Sequence, residues 1–111
     1  MIVALSISPS GPPLLDSSHV AADPAEAAGV SEVVAEAVRV IRASGLPCET
    51  NAMFTNVEGE WDEVMAVVKQ AVDVVAAVSP RVGLVIKADI RPGWDGQLSA
   101  KVDRVNALLE E

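Results

Sequence analysis

Apolar residues in this chain recur at two different spacings, and the order in which those spacings alternate limits the folds open to it. From Ile2 to Ser8 the period is two, with Val3, Leu5 and Ile7 on one face and Ile2, Ala4, Ser6 and Ser8 on the other. From Ser31 the period becomes helical: Val30, Val33, Val34, Ala37, Val38 and Ile41 form a stripe, while Glu32, Glu36, Arg39 and Arg42 lie opposite. Ser31 suits an N-cap and Gly45 the left-handed position past the last turn, which predicts a helix to about Ser44. Between these elements, Pro9 is expected to end the first strand. Ser10 to Gly29, rich in Pro, Ser, Ala and Gly, is expected to form a long flexible loop with one helical turn at Asp23-Pro24-Ala25-Glu26.

Pro47 launches a second extended run, Cys48 to Phe54, which is expected to pair in a hairpin with Thr55 to Glu58, closed by Gly59. Glu60 and Glu63 then open a helix whose apolar face is Val64, Val67, Val68, Ala71, Val72, Val75 and Val78, stopped by Ser79-Pro80. So many β-branched residues lower helix propensity, and tertiary packing must hold this segment helical. Val82, Leu84 and Ile86 alternate into a last strand. After a turn at Arg91-Pro92-Gly93, Leu98, Val102, Val105, Leu108 and Leu109 mark a third amphipathic helix.

The order is therefore βαββαβ plus a terminal helix. Interleaving two right-handed βαβ units gives a ferredoxin-like α+β sandwich, one domain over residues 1–111, with a four-stranded antiparallel sheet covered by helices on one face. The other face, with Ile2, Ala4, Ser6 and Ser8, must meet water, a ligand or another subunit, and a partner subunit is the expected answer.

Composition supports one domain: half of the 111 residues are hydrophobic, although only 3% are aromatic and none is Tyr, so Val, Ala, Leu and Ile must fill the core. A formal net charge of −8 repels phosphate backbones, and no basic stripe offsets it, which argues against a nucleic-acid partner. No run of about 20 uninterrupted apolar residues marks a membrane span. The single cysteine, Cys48, excludes an intrachain disulfide and a cysteine-based zinc site, and reads as a small buried residue. With a strand-like start at Met1 and no leader-like segment, the cytoplasm is the expected location.

No familiar catalytic pattern is present. His19, the only histidine, reads as a solvated loop residue, having no companions for base or metal chemistry nearby. No carboxylate spacing matches a calcium loop, and Glu60, Asp62 and Glu63 are explained as first-turn acids that complement a helix dipole. Glu58, at a strand end beside Gly59, is either a ligand contact at a pocket mouth or support for a helix start. Lys87, Asp89 and Arg91 share one face of the last strand, opposite Ile86, Ala88 and Ile90. They form either a solvated charge ladder or a polar rim that holds an anion or a hydroxyl. Trp61 and Trp94 read as packing anchors.

The run Ser31 to Leu46, with Met53, Thr55, Glu58-Gly59, Asp62-Glu63-Val64, Arg81-Val82, Lys87, Asp89 and Arg91, resembles the thiamine-binding protein family of small ferredoxin-like domains. The family's Met-Gly-Thr-Val-Ile-Glu-Gly segment stands here as Met53-Phe54-Thr55-Asn56-Val57-Glu58-Gly59, with Phe54 in place of a glycine. The resemblance implies a non-enzymatic protein without a cofactor, binding thiamine or its hydroxymethylpyrimidine part, and assembled as a dimer or tetramer through its sheets. Thiamine needs a hydrogen-bonding edge, an apolar wall and tolerance of a positive charge. Asn51 and Thr55 offer donors and acceptors, Glu58 an acceptor for an exocyclic amine, and Phe54 or Trp61 a wall; Ser8, Lys87 and Asp89 complete the candidate ligand-binding set. Two other readings compete: a structural or regulatory homo-oligomer with no small ligand, and an enzyme, which is disfavoured by scattered carboxylates and one loop histidine.

Overall fold

Val3, Leu5 and Ile7 are buried at the centre of the molecule, and the sheet extends outward from the strand that carries them. The computed structural model describes residues 1–11 and 25–110. In chain order the elements are β1 (Ile2–Ser10), α1 (Ala25–Ala43), β2 (Cys48–Thr50), β3 (Thr55–Glu58), α2 (Trp61–Ala76), β4 (Arg81–Asp89) and α3 (Gln97–Leu109). The strands lie in the order β2-β3-β1-β4, and every neighbouring pair is antiparallel. This is the α+β, ferredoxin-like arrangement predicted from the alternation of periods, with the terminal helix added.

Register fixes which side chains share a face. Val3 stands opposite Val57 and Ala88, Leu5 opposite Thr55 and Ile86, and Ile7 opposite Leu84. These residues point to the inner face, where β1 and Val57 join Ala37 and Ile41 of α1 and Val64, Val67, Val68, Ala71 and Val75 of α2 in one core. Each fully buried valine contributes roughly 1.5–3 kcal/mol by leaving water, which holds α2 helical despite its β-branched residues. At its entry the Glu60 N–H donates to Glu63 Oε1 at 3.2 Å, closing the first turn. A Cβ at Gly59 would meet Val64 Cγ2 at 3.2 Å, so a larger residue there would press on a buried core side chain.

Three boundaries differ from expectation. β1 continues through Pro9 to Ser10, because β3 pairs only with Ile2–Leu5 and a residue lacking an N–H is tolerated where one edge is free. α1 begins at Ala25 rather than Ser31. Ala25, Ala27 and Ala28 are strong helix formers, and Gly29 costs only about 1 kcal/mol inside a helix, so Ala25 and Glu26 of the expected turn belong to α1, while Asp23 and Pro24 lie outside the described residues. The expected loop from Ser10 to Gly29 thus loses both ends, and His19 falls outside the described residues. β2 stops at Thr50, and Asn51 to Phe54 form the hairpin turn instead of extending the strand. Asn51 Oδ1 accepts from the N–H groups of Met53 and Phe54, each at 2.9 Å, and the Asn51 N–H donates to the Phe54 carbonyl at 2.9 Å. A side chain that satisfies the turn so completely outcompetes continued pairing.

Trp61 and Trp94, expected as packing anchors, are both exposed, and Trp94 instead carries the Arg91 guanidinium 3.4 Å above its ring centre. Among the described residues, no helix is long and apolar enough to cross a membrane.

Candidate ligand-binding site

Because β3 leaves β1 after Leu5, that edge of Ser6 and Ile7 is open, and a cavity of about 200 Å³ forms there between α1 and the β2–β3 turn. Val34, Ala37, Val38 and Ile41 of α1 make one wall, and Leu5 and Ile7 of β1 another. The turn closes the cavity with Thr50, Asn51, Ala52, Met53, Phe54 and Thr55. Among the described residues, no charged one lines it.

The polar groups are few and placed by the hairpin. Thr50 and Thr55 are cross-strand partners, and their hydroxyl oxygens lie 3.2 Å apart in one hydrogen bond. Two hydroxyls that share one proton between them leave one donor and further lone pairs for a ligand. Asn51 Oδ1 is occupied by the turn, so its Nδ2 is the group free to donate. Phe54, half-buried, supplies the one aromatic surface among the described lining residues. The arrangement suits a small flat ring with hydrogen-bonding edges, and a cavity of this size is below the roughly 300–1,000 Å³ common for drug-sized ligands.

Of the residues singled out in the sequence, Asn51, Phe54 and Thr55 come together on this cavity. Ser8, Glu58, Lys87 and Asp89 do not line it. Ser8 is exposed opposite Gly83, while Lys87 and Asp89 stand opposite Ala4 and Ile2 on the outer face of the sheet. Glu58 is only 6% exposed, but it faces outward as well, opposite Ile2. Its Oε2 accepts from the Gln97 N–H at 2.8 Å and its Oε1 from the Leu98 N–H at 3.2 Å. Glu58 therefore supports a helix start, that of α3, and is not aimed at the cavity mouth. Two members of the expected charge ladder also have partners within the chain: Asp89 pairs with Lys101, and Arg91 lies on Trp94. Hydrogen bonding and attraction from Lys101, with a smaller contribution from Arg91, hold the Asp89 carboxyl below its ordinary pKa.

Thr50 and the α1 wall were not singled out, and Ser6 was read only as part of the outer sheet face. Helical periodicity marks Val34, Ala37, Val38 and Ile41 as apolar-face residues but cannot separate those that touch the core from those that line a void. Thr50 was recoverable, since it immediately precedes Asn51 and a hairpin turn at 51–54 would set it across from Thr55. Among the described residues, no three His, Cys, Asp or Glu side chains converge to hold a metal ion.

A family model described as thiamine-binding protein matches residues 19–106. The chain belongs to the thiamine-binding protein family. A UPF0045 protein of Mycobacterium bovis is 56% identical to this thiamine-binding family member over 82 residues, covering 73% of this chain and 80% of the relative. The crystal structure of a hypothetical protein of Methanocaldococcus jannaschii superposes with a TM-score of 0.73 at 28% identity, covering 95% of this chain and 94% of that one. A Thermotoga maritima protein proposed for thiamine biosynthesis or salvage shares the fold, with a TM-score of 0.65 at 21% identity over 93% of this chain and 97% of that one. The segment of the family resemblance, from Ser31 to Arg91, lies within the matched residues, and so does every lining residue of the cavity from Val34 to Thr55.

Proposed function

We propose that this chain is a cytoplasmic, non-catalytic binding protein that holds thiamine through its hydroxymethylpyrimidine half, the ring seated in the α1–hairpin cavity and the thiazolium outside it. The observation that carries this reading is a cavity of about 200 Å³ whose described lining residues are all uncharged, with Ser6 of β1 and Thr50, Asn51 and Thr55 of the hairpin as its polar residues. A neutral aminopyrimidine fits such a lining, whereas a permanent cation inside it would lose its hydration without a partner. Thr50, Thr55 and the Asn51 amide meet the ring's hydrogen-bonding edge, and Phe54 with the α1 valines meets its faces. Family membership supports the ligand class. The non-catalytic reading rests on chemistry: among the described lining residues there is no His, Cys, Asp, Glu or Lys to move a proton or attack a substrate.

Calorimetric titration with hydroxymethylpyrimidine and with thiamine tests this. Both are expected to bind the native chain with affinities within about tenfold of each other. Asn51→Ala is expected to weaken both by roughly tenfold, equivalent to about 1.4 kcal/mol. Val38→Phe, which narrows the cavity from a half-buried position on α1, is expected to remove the heat. Absence of heat with either ligand, in a chain that is folded by circular dichroism, would instead favour the structural or regulatory homo-oligomer.

A further inference from the structure

β1 carries an unpaired stretch of backbone inside the cavity, and the hydrogen bonds around it show which groups are left over. The Gly59 N–H donates to the Met1 carbonyl at 3.0 Å. On the other side of β3, the Glu58 N–H donates to the Pro47 carbonyl and the Phe54 carbonyl accepts from the Asn51 N–H, each at 2.9 Å. Bonded and non-bonded pairs alternate along an antiparallel ladder, so β3 meets β2 through Phe54, Asn56 and Glu58, and meets β1 through Thr55, Val57 and Gly59. Their partners in β1 are Leu5, Val3 and Met1. The next residue in that series is Ile7, and β3 has already left the ladder. The Ile7 N–H and C=O therefore point out of the open edge with no strand to meet among the described residues.

Ile7 is only 8% exposed and lines the cavity beside Leu5 and Ser6. A backbone donor and acceptor at such depth are normally paired, because leaving them dry and unpaired costs free energy. Met53, which a continued ladder would set opposite Ile7, has already given its N–H to Asn51 Oδ1 at 2.9 Å. We infer that the N–H and C=O of Ile7 are the groups that read the ligand, taking a ring nitrogen and the amino group beside it as a strand takes the matching residue of its neighbour. This inference rests on the reading of the cavity as a pyrimidine site. It narrows the ligand class to a heteroaromatic ring that carries an exocyclic amine next to an acceptor nitrogen.

The strand itself selects a small ring over a peptide. Two residues further along the same edge stands Pro9, which has no N–H, so an added strand would find a single donor where a ladder needs a series. The cavity of about 200 Å³ between α1 and the hairpin turn also holds no more than a small ring. An aminopyrimidine asks for one residue of edge: the Ile7 N–H donates to the ring nitrogen, and the exocyclic amine donates to the Ile7 carbonyl. The second ring nitrogen lies across the ring, which leaves the hairpin an edge of its own. Asn51 Oδ1 is held by the N–H groups of Met53 and Phe54, so its amide cannot turn over and presents only N–H donors there. Both ring nitrogens then meet donors, one from the backbone of β1 and one from the turn.

Amide hydrogen exchange followed by nuclear magnetic resonance, with calorimetry on the same samples, tests the assignment. In the ligand-free chain the Ile7 amide is expected to exchange about tenfold faster than the paired amides of Val3 and Leu5, and saturating hydroxymethylpyrimidine is expected to slow it by about the same factor. The pyrimidine analogue that lacks the amino group is expected to bind about tenfold more weakly. Replacing the Ile7 N–H by an ester oxygen, which keeps the buried side chain, is expected to weaken hydroxymethylpyrimidine by a similar factor of about ten. Heat of binding with an Ile7 amide unmoved in resonance and in exchange would overturn this assignment and leave the cavity reading standing. No heat with either pyrimidine would remove both. An Ile7 amide as slow to exchange without ligand as those of Val3 and Leu5 would also overturn it, since the edge would then be closed.

Discussion

Asp89 is the residue whose charge state the surroundings alter most visibly on the outer face. Lys101 donates to its carboxylate, and Arg91 adds a weaker attraction, so its folded-state pKa lies below the ordinary value near 3.9. A lowered carboxyl pKa means that the unfolded chain takes up a proton first as pH falls. The pair therefore contributes its full stabilisation above about pH 4, and that contribution fades as pH falls through the lowered folded-state value. Both partners are exposed, so the effect is modest and screened by salt. Nuclear magnetic resonance titration of the Asp89 carboxyl carbon is expected to show the depressed midpoint, and Lys101→Met is expected to move it back towards the ordinary range. An unchanged midpoint in Lys101→Met would mean that the pair does not persist in solution.

At the scale of elements, α3 has a weak beginning of its own. Its N-cap is Gly96 in the left-handed region, which offers no side chain to the first turn. Glu58, nearly 40 positions earlier, does that work with both oxygens, and the positive end of the helix dipole favours its charge. Glu58→Ala leaves two backbone N–H groups without acceptors in a buried place, and the expected loss is about 2 kcal/mol. Glu58→Gln keeps one acceptor and is expected to lose about half as much. Urea unfolding measures both, while ligand affinity, referred to folded protein, is expected to stay within twofold of the native chain. A large affinity loss in Glu58→Gln without a stability loss would return this residue to the binding site. Periodicity was enough to reveal the seven elements and their order, because Val3, Leu5 and Ile7, or Val64, Val68 and Val75, carry their period locally. It could not reveal the partner of Glu58, since a contact between β3 and the start of α3 depends on how the chain returns in space.

Across the whole molecule, the sheet separates two sets of residues that the sequence presented as one. Odd positions of β1 and β3 face inward, but β4 pairs with β1 so that its even positions do, as Val3 with Val57 and Ala88 shows. Alternation within each strand already set Lys87 and Asp89 opposite Ile86 and Ala88; which face of the sheet the hairpin turn and α1 enclose depends on packing, which alternation alone does not contain. For that reason Lys87, Asp89 and Glu58 seemed eligible for the same crevice as Asn51, Phe54 and Thr55, though they lie across the sheet from it. The separation has a thermodynamic consequence. The cavity belongs to α1, β1 and the β2–β3 turn, and no described residue of β4 or α3 lines it, while a dimer formed through the sheets, as the resemblance implies, has the open edge of β4 to pair. The two sites share no residue, and neither α1 nor the hairpin has to move when β4 pairs, so any coupling carried through β1, which lines the cavity and pairs with β4, is expected to be small. Ligand affinity is therefore expected to agree within about twofold above and below the concentration at which the dimer dissociates, and saturating ligand should leave that concentration unmoved. Both quantities come from one set of calorimetric titrations repeated across protein concentration. A shift of tenfold or more, about 1.4 kcal/mol of coupling, would show that α1 or the hairpin moves when β4 pairs.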